Sequence, residues 1–165
     1  MSASTAVIRV LIADDHAIVR EGIRQVLMSD EHTGFEVVGE ASNGRQAVEL
    51  ARAHRPDVVI LDLSMPELSG LEAAAAIREE VPQASILVLS IHDHEEYVVQ
   101  SVRAGAQGYL RKDSTPAELR SAVRAIYEGR SAFSAPVVRT LSSVLRGEQA
   151  ELEQRVQRRT LELAE

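Results

Sequence analysis

Five short runs rich in Val, Ile and Leu recur along the chain, at 7–13, 35–40, 58–61, 86–89 and 108–110, and each is followed by a stretch whose apolar residues return at helical spacing. The helical stretches are 18–28, with apolar residues at 18, 19, 23, 26 and 27, then 46–53, 71–81, 95–104 and 117–128. Continuous rather than alternating apolar runs are what strands buried on both faces require, and crossover helices are what bury them. Local punctuation agrees with this reading. Pro56, Pro66, Pro82 and Pro116 fall outside the helix interiors, and Gly105 and Gly129 stand just past helical stretches, where a left-handed C′ residue is wanted. Five βα repeats joined by right-handed crossovers predict a doubly wound, five-stranded parallel α/β sheet of the flavodoxin-like kind, with ligands bound at the carboxyl ends of the strands.

From about Ser134 the pattern becomes helical with no further strand signal, which divides the chain into a globular unit over 1–133 and a helical extension over 134–165. Leu145, Gln149, Leu152, Val156, Arg159 and Leu163 alternate at spacings of four and three, the seam of a short coiled coil, and the expectation is a homodimer, parallel along the tail. A surface helix folded back on the domain is the alternative.

Composition narrows the functional classes. The chain has 165 residues, a formal net charge of −7, no Cys, no Trp and only 3% aromatic residues. Acidic charge argues against a phosphate-backbone binder, and the scarcity of aromatics removes the stacking platform of a single-strand binder. Without Cys there are no disulfides, thiolate metal sites or thiol nucleophiles. No apolar run approaches the roughly 20 residues of a membrane span, and Met-Ser-Ala-Ser-Thr at the start lacks the basic region of a signal peptide, so a cytoplasmic location is expected.

The strand ends carry the candidate chemistry. Asp14 and Asp15 follow the first strand, Asp62 ends the third, Ser90 ends the fourth and Lys112 follows the fifth, all on one predicted rim. Two carboxylates about 4 Å apart repel by roughly 4 kcal/mol at an effective dielectric near 20, so such a rim calls for a cation or for shifted pKa values. An all-oxygen ligand set suits Mg²⁺. The plainer reading of Asp15 is a cap for the helix that starts at 16–18. Lys112 is the only Lys among 18 basic residues, which marks a place that wants a compact ammonium rather than a planar fork. His16, His32, His54, His92 and His94 share no ligand spacing and are read as ordinary polar residues. No Gly-rich phosphate cradle is present.

Four stretches carry a family resemblance: Val-Leu-Ile-Ala-Asp-Asp-His over 10–16, Val-Gly-Glu-Ala-Ser-Asn-Gly over 38–44, Asp-Val-Val-Ile-Leu-Asp-Leu-Ser-Met-Pro over 57–66 with Gly70, and Gly-Ala-Gln-Gly-Tyr-Leu-Arg-Lys-Asp over 105–113. Together they resemble the response-regulator receiver domain of bacterial two-component systems, in its NarL/FixJ (LuxR-type) subfamily, over roughly four-fifths of the chain. The resemblance implies that Asp62 is the phosphoacceptor for a sensor histidine kinase and that Asp14 and Asp15 hold Mg²⁺ together with Asp62 and the backbone carbonyl of Ser64. It further implies that Ser90 and Lys112 contact the phosphoryl group and that Tyr109 is the switch aromatic; from position alone Tyr109 reads as a half-buried strand residue. Two departures stand out. Residues 148–165 contain no helix-turn-helix and instead resemble the helical linkers that lead into kinase or cyclase output modules, so no direct DNA contact is expected of this chain, and its output passes to an effector or through helix pairing alone. Ile91, directly after Ser90, is a bulky residue expected to crowd the phosphorylation pocket. The competing chemical class is a Mg²⁺-dependent hydrolase working through an aspartyl phosphate, but such enzymes place a second Asp two residues after the nucleophile, where this chain has Ser64.

Overall fold

A computed structural model describes residues 7–29, 34–91 and 94–164. The elements follow the apolar pattern: β1 Ile8–Ala13, α1 Ala17–Met28, β2 Phe35–Ala41, α2 Gly44–His54, β3 Val58–Leu61, α3 Gly70–Glu80, β4 Ser85–Ser90, α4 Glu95–Arg103, β5 Gly108–Arg111, α5 Pro116–Tyr127, β6 Ala132–Phe133 and α6 Ala135–Ala164. The strands form one parallel sheet in the order β2-β1-β3-β4-β5-β6. Two apolar layers flank it. One joins Leu11, Val59, Leu61 and Val88 to Ala73, Ile77 and Val98 of the helices, and the other joins Val10, Ile12, Ile60 and Leu87 to Ile23, Leu27, Val123 and Ile126. All four residues of β3 are buried, which is why that strand reads as an unbroken apolar run.

Sequence signals account for several boundaries. Asn43 caps α2 by accepting from the Gln46 amide, Ser69 caps α3 by accepting from the Glu72 amide, and Thr115 forms a reciprocal capping box with Glu118 at the start of α5, with Pro116 as its first residue. Gly105 and Gly129 adopt φ of 107° and 86° after α4 and α5, as their positions predict.

Four features depart from expectation. The sheet has a sixth strand: Ala132 and Phe133 pair with Gly108 and Tyr109, a run too short to register in an apolar pattern. The N-cap of α1 is His16 and not Asp15, and the His16 side chain makes no capping hydrogen bond. Ile18, counted in the apolar face of α1, is 88% exposed, so the buried stripe starts one residue later at Val19. Finally, α6 is not wholly a free coiled-coil tail. Its first half packs on α4, with Val137 buried, Leu141 against the core and Arg103 paired to Glu148 at 2.5 Å. No helix among the described residues is long and apolar enough to cross a membrane.

Candidate functional site

The strand order reverses between β1 and β3, both of which point their carboxyl ends into the same crevice, the place where sheets of this kind bind ligands. Backbone hydrogen bonds carry the ladder one residue past the strands and so fix the residues of that crevice. Asp14 donates its amide to Ala41 O at 3.0 Å, Asp62 to Ala13 O at 2.9 Å and Lys112 to Ser90 O at 2.9 Å. Gly70 then brings α3 against the end of β3. A Cβ there would lie 2.1 Å from the Asp62 carbonyl oxygen, and the Gly70 amide donates to Leu63 O at 2.9 Å. The loop between Asp62 and Gly70 is held at both ends as a result.

Asp14, Asp15, His16 and Asp62 each offer one ligand atom, and these atoms all lie within 4.8 Å of one another. Asp14 and Asp62 are buried, whereas Asp15 and His16 are exposed. Lys112 reaches in from the end of β5, with Nζ 2.8 Å from Asp14 Oδ2 and 3.5 Å from Asp62 Oδ2. Asp14 Oδ1 accepts from the His16 amide at 2.8 Å, which turns the chain into α1. That local bond does the work expected of a cap on Asp15 and leaves Asp15 facing the cluster. Arg20 closes the rear of the loop by donating to the Asp14 carbonyl at 2.7 Å.

Burial raises the pKa of the Asp62 carboxyl and the neighbouring Asp14 raises it further, while Lys112 and the Ser64 amide oppose the shift. For Lys112, burial favours the neutral amine, but the hydrogen bond to Asp14 and the charge of Asp62 outweigh it and hold the ammonium above its usual range. The crevice therefore contains a carboxylate short of positive charge beside a firmly protonated lysine. An additional small cation fits this electrostatic deficit, and the donor chemistry, predominantly carboxylate oxygen, suits a hard ion such as Mg²⁺.

Three further sites can be located. Ser90 is buried at the carboxyl end of β4, in register with Arg111 of β5. Tyr109 is fully buried rather than half-buried, and its register partner on the outer strand is Phe133. Ser64 is exposed, and its amide lies 3.4 Å from Asp62 Oδ1. Ile91, directly after Ser90, is 68% exposed. His16 was passed over by sequence reasoning, yet its Nδ1 lies 3.2 Å from Asp14 Oδ1 and 2.9 Å from Asp15 Oδ1. The usable signal was adjacency: the residue after an acidic pair at a strand end turns with that pair. His32 and His92 lie outside the described residues.

Comparison with known proteins bears on this arrangement. Residues 10–124 match the response regulator receiver domain. The chain belongs to the response regulator receiver family. Its relatives include the transcriptional regulatory protein YxjL of Bacillus subtilis, 42% identical over 86% of this chain, and the nitrate/nitrite response regulator protein NarL of Escherichia coli, 40% identical over 92% of it. The matched regions amount to 65% and 69% of those two proteins. A two-component response regulator of the LuxR family from Aurantimonas superposes with a TM-score of 0.76 at 37% identity, covering 84% of this chain and 97% of that one. The resemblance to NarL/FixJ receivers read from four motifs thus holds, and with it the flavodoxin-like fold and a place in phosphorelay signalling. Receivers of this family accept phosphoryl groups, and an acidic cluster of the kind that holds Mg²⁺ in them is present here.

Proposed function

We propose that Asp62 is the phosphoacceptor, that the phosphodonor is the phosphohistidine of a sensor histidine kinase, and that the resulting state is transmitted through α6. One observation carries this reading: a single buried carboxylate at the end of β3 has a lysine ammonium 3.5 Å away and two further carboxylates beside it. In the transfer, an Asp62 oxygen attacks phosphorus in line while the P–N bond to the imidazole breaks and its electron pair stays on nitrogen, giving an aspartyl phosphate and a free histidine. The transition state is loose, so the protein contributes mainly position and charge. Asp14, Asp15, Asp62 and the Ser64 carbonyl would hold Mg²⁺, which when bound offsets negative charge on the phosphoryl oxygens. Lys112 exchanges its contact with Asp14 for a phosphoryl oxygen. Ser90 donates its hydroxyl to another, and the accompanying inward movement of its loop opens space into which Tyr109 turns.

The chain is read as a phosphoacceptor and not as a turnover enzyme, since the position that would carry a hydrolase's general acid/base is the exposed Ser64. Its partners are the sensor kinase and a second copy met through α6. Direct contact with DNA is not assigned to this chain, given its net charge of −7. Incubation with Mg²⁺ and acetyl phosphate should add one phosphate, labile to hydroxylamine, and Asp62→Asn should abolish it. Undiminished phosphorylation of that variant, or steady turnover of a phosphomonoester, would overturn the reading. Asp15→Asn should weaken Mg²⁺ binding at least tenfold, as expected for loss of a charged ligand in a small set, measured by titration of the apo protein.

A further inference from the structure

One face of α6 carries apolar residues that nothing among the described residues covers: Val138 is 47% exposed, Leu145 63%, Leu152 60% and Val156 58%. Assigned to heptads, Ser142, Gln149 and Val156 take a positions and Val138, Leu145, Leu152 and Arg159 take d positions. The flanking g positions are then Glu148 and Arg155, and the e positions Arg146 and Glu153. We infer that α6 pairs with a second copy of itself in the antiparallel sense, about a two-fold axis near residues 150 and 151. This inference rests on the proposed dimer and replaces the parallel arrangement expected from spacing alone.

Charge decides the direction. A parallel, in-register pair stacks Arg159 on Arg159 and Gln149 on Gln149 in the seam, and it sets Glu148 of each helix against Glu153 of the other. The antiparallel pair puts Val156 opposite Leu145, Gln149 opposite Leu152 and Arg159 opposite the small Ser142. Along its flanks Glu148 meets Arg155 and Arg146 meets Glu153, and each contact occurs twice by symmetry. Neither Arg146 nor Arg155 has an ion-pair partner among the described residues, and Glu148 contacts Arg103 through Oε1 alone. A surface that complements itself after a two-fold rotation selects a second copy over an unrelated helix. The two receivers then sit at opposite ends of the paired helices.

The chain has no cysteine, so single thiols can be placed at will. Sedimentation of the full chain should show a dimer. Leu145→Cys and Val156→Cys chains, mixed and treated with a short thiol-to-thiol crosslinker, should couple to each other while neither couples to itself. In an antiparallel pair the two copies of residue 145 are about 16 Å apart along the axis at 1.5 Å per residue. Glu153→Arg, which lies clear of the receiver, should raise the dissociation constant about three- to tenfold by turning two attractive flank contacts into repulsive ones. In a parallel dimer the same change would tighten association by relieving Glu148. Self-coupling of each single-cysteine chain together with tighter pairing of the Glu153→Arg chain overturns the antiparallel assignment and leaves the dimer standing. A monomer at high micromolar concentration, with or without a beryllofluoride phosphoryl mimic, overturns both.

Discussion

Asp62 illustrates how a functional residue is held at a cost to the fold. Its carboxyl is only 6% exposed, and burial followed by the charge of Asp14 raises its pKa above the ordinary 3.8. Because the folded state holds this proton more tightly than the unfolded chain, stability falls as pH rises from the ordinary carboxylate range through the raised value. Asp62→Asn, which carries no charge at any pH, should therefore melt at a higher temperature than the parent at pH 7 without Mg²⁺, and the difference should shrink as the pH is lowered toward 4. Saturating Mg²⁺ should narrow or reverse the gap, since the parent chain gains more from the ion than the variant does. Thermal melts across pH with and without Mg²⁺ check both parts; an Asn variant that melts lower at pH 7 without Mg²⁺ contradicts the electrostatic account. The sequence showed Asp62 at a strand end but not its depth, because depth depends on which helices cover the rim.

At the scale of elements, legibility followed the type of signal. Helices α2, α3 and α5 begin at Asn43, Ser69 and Thr115, side chains that bond the backbone themselves, so their starts can be read locally. Thr115→Ala should cost about 1 kcal/mol through loss of the bond that the Thr115 hydroxyl accepts from the Glu118 amide, measurable by urea unfolding. Helix α1 misled because its turn is made by the Asp14 side chain accepting from His16, a bond that depends on the position of Asp14 over the sheet. Gly70 was visible as part of a motif, but its reason was not. The residue lies within 2.1 Å of the Asp62 carbonyl once a Cβ is added, and that contact joins α3 to β3 across a loop. Gly70→Ala should destabilise the domain by about 2 kcal/mol or more, and, unlike Thr115→Ala, it should also slow phosphoryl acceptance by moving the Asp62 carbonyl. Strand β6 escaped notice for a different reason: two residues have no periodicity, and Phe133 is ordered by pairing with Tyr109.

At the scale of the molecule, α6 ties the acceptor crevice to the surface that leaves the domain. Tyr109 lies in the same buried layer as Val98 of α4 and Val137 of α6, with Phe133 packed against that layer, which is the route by which the proposed turn of Tyr109 would reach α6. The helical tail was legible in the sequence but its docking face was not: burial of Val137 and the Arg103–Glu148 pair, both set by the tertiary fold, select α4. All of this depends on phosphorylation occurring at one residue. The most direct test is to treat the chain with Mg²⁺ and acetyl phosphate, reduce the product with borohydride, which converts an aspartyl phosphate to homoserine, and map the converted residue by peptide mass spectrometry. The account predicts conversion at position 62 alone and none when Mg²⁺ is chelated; conversion at Asp14, Asp15 or any other carboxylate, with position 62 unchanged, would contradict it.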